Sequence, residues 1–133
     1  MAREIKFRAQ ADDGKWVVGD LHLLNSVPSI QTDENIDHTY SIDEKTIGMF
    51  TGLKYFNGPD DKKGTEVYEG DIIASGKNNE IRHVIAYHDA DAQYVAYYSK
   101  TDYCGVTQKW INKFKKVVIG NIYDNPELLN KED

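Results

Sequence analysis

The sequence holds a single cysteine, Cys104, among 133 residues. A disulfide within one chain is excluded, and nothing points to an oxidising compartment. No apolar run approaches the ~20 residues of a membrane-spanning helix. The opening Met-Ala-Arg-Glu-Ile-Lys-Phe-Arg places charges where a signal peptide carries its apolar segment. A cytoplasmic protein without a membrane partner is expected. Positive charge is also scarce, with 16 Lys and Arg against 22 Asp and Glu and a net charge of −6. Nucleic-acid affinity depends largely on neutralising phosphates, so only a local basic patch leaves that function open. Long helical periods between candidate strands are missing, which argues against βαβ units and a parallel sheet.

The chain is 40% apolar and 29% charged, ordinary for one domain or two very small ones. A chain of this size builds a thin core, and self-association is a common remedy. Ile5 and Phe7 alternate with Lys6 and Arg8, Asp12-Asp13-Gly14-Lys15 signals a turn, and Trp16-Val17-Val18 favours extension. The pattern predicts a hairpin of residues 3–10 and 15–19, with Leu21, Leu23 and Leu24 continuing its apolar layer. In residues 25–46, Pro28 disfavours a central strand, and Ile30, Ile36, Tyr40 and Ile42 are scattered among polar residues. Loops are predicted there, with short strands around 40–42 and 48–51. The segment Asn57-Gly58-Pro59-Asp60-Asp61-Lys62-Lys63-Gly64 has no apolar side chain to bury and reads as a solvated loop.

Beyond it, Gly70-Asp71 marks a bend before a strand from Ile72, and residues 75–79 signal another turn. Ile81, His83, Ile85 and Tyr87 share one parity. Tyr94, Ala96 and Tyr98 alternate with Val95 and Tyr97 in a strongly β-prone stretch. Trp110 and Phe114 are spaced as anchors of a turn packed on the core. Val117-Val118-Ile119 is β-prone, and Gly120 marks a bend or a close backbone approach. Asn125 and Pro126 suit the cap and first position of a short helical turn that folds Leu128 and Leu129 back. The expected architecture is mainly β with little helix. It comprises a β-rich N-terminal part (1–56), a junction (57–65) and a C-terminal part (66–133) built as a small curled antiparallel sheet or barrel, since closure removes exposed edges.

Candidate chemistry is sparse. His88, Asp89 and Asp91 share a turn, but no zinc or calcium spacing appears, and no metal or cofactor is expected. Cys104 could act as a nucleophile only with a base such as His83 or His88 beside it. His83 and His88 are five apart, which puts them on opposite faces of a continuous strand. The pairs Asp12-Asp13, Asp60-Asp61 and Asp89 with Asp91 lie in exposed turns. Gly70 and Gly76 make no phosphate-cradling loop. No catalytic residue is assigned. Two surfaces remain. Tyr94, Tyr97, Tyr98 and Tyr103 crowd one region, and tyrosine is enriched at protein interfaces. Lys109, Lys113, Lys115 and Lys116 surround Trp110, a pattern that suits stacking on bases beside phosphates, or simply the wet face of a packed turn.

Three segments resemble the YopX protein family. They are Arg3-Glu4-Ile5-Lys6-Phe7-Arg8-Ala9; Phe50-Thr51-Gly52-Leu53-Lys54 leading to Glu66-Val67-Tyr68-Glu69-Gly70-Asp71-Ile72; and Val118-Ile119-Gly120-Asn121-Ile122-Tyr123-Asp124-Asn125-Pro126-Glu127-Leu128-Leu129. The family is encoded mainly by phages and prophages of Gram-positive bacteria and has no settled biochemical function. The resemblance implies a mostly β protein, a phage gene and a homo-oligomer, and it supplies no catalytic residue. Two departures stand out. Gln10 takes a position usually held by tryptophan, and residues 55–65 form an enlarged loop. The reading is an accessory protein that works by protein–protein contact, with itself or with a host or phage partner. A nucleic-acid-binding regulatory module using the lysine/Trp110 segment is the first alternative, and a small hydrolase or nuclease the second.

Overall fold

The computed structural model describes residues 4–32 and 39–129. Ile36 and the first residue of the expected N-terminal hairpin lie outside these. The chain is mainly β, in two antiparallel sheets, and its contacts divide it between Gly52 and Leu53. The loop 57–64 thus lies within the second unit.

The first unit grows from the expected hairpin. Strands β1 (Phe7–Gln10) and β2 (Trp16–Leu24) pair antiparallel, with Phe7 opposite Gly19 and Gln10 opposite Trp16. Asp13 shapes the turn, its carboxylate accepting from Lys15 N at 3.0 Å. Ala9 is the buried residue of β1, while Ile5 precedes the strand and is exposed. A two-residue turn at Asn25 and Ser26, both at positive φ, leads into β3 (Val27–Gln31). That strand contains Pro28, against the expectation of loop. The residues flanking a two-residue turn form a hydrogen-bonded pair, so the next pair, Leu23 with Pro28, directs proline's missing donor away from β2. On the other side β4 (Thr39–Ser41) pairs only with Ser29, Ile30 and Gln31. The β4 ladder thus stops one residue short of Pro28. Strand β5 (Gly48–Tyr55) completes the run, and the six-stranded order is β4-β3-β2-β1-β5-β6.

The Gln10 position is held by its backbone. Gln10 N donates to Thr46 Oγ1 at 2.8 Å, and Asp43 N donates to Gln10 O at 2.8 Å. Trp16 stands directly across from Gln10, and the Arg8 guanidinium lies 4.8 Å from the centre of its ring. An aromatic ring is therefore supplied from the partner strand.

The second unit starts within β5. β6 (Thr65–Tyr68) reaches the Glu69-Gly70 turn, which hands the chain to β7 (Asp71–Ser75) of the other sheet. Gly70 sits at φ +90°, and a Cβ there would meet the Tyr123 ring at 3.0 Å. Buried Asp71 accepts from Tyr68 N at 2.7 Å. β8 (Ile81–His88), β9 (Gln93–Tyr97), β10 (Tyr103–Gly105) and β11 (Val117–Asn121) complete a five-stranded sheet in the order β10-β9-β8-β7-β11. This sheet is open: of the two forms the sequence suggested, an antiparallel sheet and a barrel, the chain takes the sheet. β10 is three residues long, and β11 carries a bulge between Val118 and Gly120. Short and bulged strands blunt an edge without closing it.

On one face of this sheet Ile73, Ile85 and Ala96 form the core cluster together with Val67 of β6, with Leu53, Tyr55, Cys104, Val106, Trp110 and Val118 packed against it. The Trp110 segment is a true helix, α1 (Gln108–Lys113), capped by Thr107, whose hydroxyl accepts from Trp110 N at 3.1 Å. At the C-terminus Pro126–Leu129 forms a 3₁₀ turn. Asn125 does not cap it with its side chain; Oδ1 instead accepts from Asn121 N at 3.2 Å, crowded against Gly120, where a Cβ would lie 2.5 Å away.

Candidate functional site

The tyrosine-rich strand β9 distributes its rings as strand alternation requires. Tyr97 pairs with Val84 and Tyr103, and Tyr94 pairs with Tyr87. Tyr97 and Tyr103 have ring centres 5.2 Å apart, and Tyr103 continues to His88 at 4.5 Å. The Tyr103 hydroxyl donates to Asp91 at 3.0 Å, and that hydrogen bond raises its pKa. Tyr94 meets Tyr87 edge-on at 5.2 Å. The four named tyrosines therefore do not form one patch: Tyr97 and Tyr103 share a face, and Tyr94 lies on the other.

Tyr98, at the end of β9, opens onto a different feature. A groove is lined by Ile81, Val84, Tyr97, Tyr98, Leu128 and Leu129. Three of these are large and exposed: Ile81 at 48%, Tyr98 at 58% and Leu129 at 41%. Its C-terminal wall is tied down by Arg82, whose Nη1 donates to Leu128 O at 2.7 Å while Nε donates to Asn79 O. Sequence parity identified Ile81 as apolar but gave no hint that the C-terminal turn would line a groove beside it. That relation requires long-range pairing.

The lysine segment divides sharply. Lys109, Lys113 and Lys115 are exposed around α1. Lys116 is 5% exposed and turned inward. The helix ends in a Schellman motif: Lys115 N donates to Asn112 O and Lys116 N to Ile111 O, with Lys115 in the left-handed region at φ 52°. This reversal folds Lys116 back over the helix. Its Nζ lies 4.7 Å from the centre of the Trp110 ring and 5.9 Å from that of Phe114. It donates to Ser75 Oγ at 2.7 Å. Trp110 is half-buried, and Phe114 is exposed.

Beside Lys116 stands His83, 7% exposed, with Tyr98 and Trp110 edge-on at 5.7 and 5.3 Å. Its Nδ1 is buried without a hydrogen-bond partner among the described residues. Burial first, and the charge of Lys116 second, lower its pKa to about 4. Burial likewise lowers the pKa of Lys116. An ammonium carries three donors, and here one hydroxyl and two rings answer it. A desolvated cation–π contact is worth about 2 kcal/mol, whereas removing an ion from water costs several. The pair is undercompensated. Lys116 also lines a cleft with Phe56, Asn57, Pro59, Asn112 and Lys115.

The remaining candidates are not brought together. His88 Nδ1 lies 3.5 Å from Asp91 Oδ2 in an exposed turn, on the face of β8 opposite His83. Among the described residues no three His, Cys, Asp or Glu side chains converge as metal ligands. Cys104 is half-buried, its thiol directed to Ala96 O at 3.9 Å. Burial raises its pKa, and Lys116 opposes the shift. The thiolate needed for nucleophilic attack is thus disfavoured. The enlarged loop is ordered by Asp61, whose carboxylate accepts from Asn57 N at 2.9 Å and Gly64 N at 3.0 Å. These bonds lower its pKa.

No helix among the described residues is long and apolar enough to cross a membrane. No curated protein matches the sequence. The model of the family described as YopX protein matches residues 6–130, nearly the whole chain. The chain belongs to the YopX protein family.

Proposed function

We propose that the protein acts by protein–protein contact, as a homo-oligomer, with the groove of the second unit as its contact surface. The observation that carries this reading is the convergence of exposed Ile81, Tyr98 and Leu129 on that one groove. Contiguous apolar surface marks interaction sites, and aromatic side chains are enriched in them. The thin cores of small domains supply the driving force for a second copy to cover it. The role of an accessory protein of a phage or prophage, in the cytoplasm of its bacterial host, draws support from the family resemblance.

Size-exclusion chromatography with light scattering at tens of micromolar tests the contact. The wild type is expected to elute as an oligomer. The double substitution Tyr98→Ser, Leu129→Ser is expected to give monomers with an unchanged far-UV circular dichroism spectrum. A wild type that is strictly monomeric, or a variant that associates as strongly, refutes the reading.

A further inference from the structure

The groove leaves unexplained the buried Lys116 and His83, neither of which lines it. Lys116 is 5% exposed, and among the described residues its Nζ makes one hydrogen bond, to Ser75, and no ion pair. His83, 7% exposed, has a buried Nδ1 with no partner among the described residues. Side chains of this kind sit in protein interiors when a partner completes them. The other side chains at the pair supply no negative charge. Ser75 is a neutral hydroxyl, Trp110 and Tyr98 present rings, and burial keeps the Cys104 thiol protonated. The cleft that Lys116 lines is flanked by Lys115, Asn57 and Asn112. Asp61, in the loop that contributes Asn57 and Pro59 to the cleft, is already engaged by backbone donors of that loop.

We propose that Lys116 and His83, with the cleft that Lys116 lines, form a binding site for a small oxyanion, a phosphate or a carboxylate. Lys116 has two donors left for the anion's oxygens, and Ser75 fixes the third. His83 presents Nδ1–H as a neutral donor in the corresponding tautomer. The low-dielectric walls of Trp110 and Phe114 strengthen the ion pair relative to one in water. The exposed Lys109, Lys113 and Lys115 give an otherwise acidic chain a local positive potential that draws anions toward the cleft.

The test is a titration of the wild-type protein with inorganic phosphate, sulfate and acetate. Each is compared with sodium chloride at equal ionic strength and followed by the ring resonances of His83 in selectively labelled protein. The expected result is a saturable shift of His83 with at least one oxyanion, and the arms separate phosphate-type from carboxylate-type binding. Lys116→Met is expected to weaken the response at least tenfold. Equal responses to chloride and to every oxyanion refute the site. So does a Lys116→Met variant that responds like the wild type. If that variant does not fold, the wild-type His83 titration decides alone. Light scattering on the same samples reports the groove separately.

Discussion

Acidification to pH 5 should weaken the second unit through His83 alone by an amount that can be worked out in advance. The imidazole has its pKa lowered to about 4 in the folded chain, against ~6.5 in an unfolded one. Below pH 6.5 the unfolded chain binds the proton and the folded chain does not. Stability that is fully present above that value is therefore lost as pH falls toward 4. Integrating between pH 7 and pH 5 gives a loss of about 2 kcal/mol, rising to roughly 3 kcal/mol below pH 4. Screening by nearby solvent makes these upper values, and a loss of less than half of them would count against a buried neutral imidazole. Against a total stability of about 5–15 kcal/mol the effect is easily measured. Urea unfolding at pH 7, 6 and 5 should be followed by Trp110 fluorescence in a Trp16→Phe background, because Trp16 lies in the first unit. His83→Leu should flatten the dependence, and the difference between the two proteins isolates the contribution of His83. Parallel pH profiles for the parent and His83→Leu would show that burial does not hold His83 neutral.

Three further outcomes are expected. Lys116→Met should raise the pKa of His83, read by its ring resonances, because the Lys116 charge contributes to lowering it; stability should hold or rise, since replacing a buried ion by an apolar group of similar size is often neutral or stabilising. Lys115→Gly should stabilise by about 1 kcal/mol and raise the melting temperature by roughly 3–5 °C, because φ 52° at a helix C-terminus suits glycine and strains a side chain; an unchanged or lower melting temperature counts against it. Thr46→Val should cost the first unit about 1–2 kcal/mol in urea unfolding, since its hydroxyl both donates to Asp43 O at 2.6 Å and accepts from Gln10 N; a cost below a few tenths would show that water replaces it.

Much of the strand content could be read from local pattern. Alternation and the Asp13 turn located β1 and β2, and the Gly70-Asp71 bend fell where β7 begins. Parity also sent Tyr97 away from Tyr94, as the register confirms. Local pattern failed where a rule depends on the neighbour. Pro28 is excluded from a strand only where its donor is needed, and the short reach of β4 removes that need. Barrel closure likewise depends on edge strands meeting, and the brevity of β10 could not be weighed before its partner was known.

The lysine run shows why the candidate site was hidden. Charges around Trp110 read as a wet face, and for Lys109, Lys113 and Lys115 that is where they stand. Lys116 turns inward because the Schellman motif reverses the chain at Lys115, and the residue after the reversal is carried back over the last helical turns. Two marks normally announce such an ending: glycine at the reversal and an apolar residue after it. This chain has lysine at both positions, so the motif leaves no trace in the sequence. Each departure weakens the fold, one by backbone strain and the other by burying a charge. Local rules are most often broken together at functional positions. A chain that carries both penalties within two residues, beside a buried histidine without a hydrogen-bond partner among the described residues, is better explained by a ligand that offsets them than by packing alone.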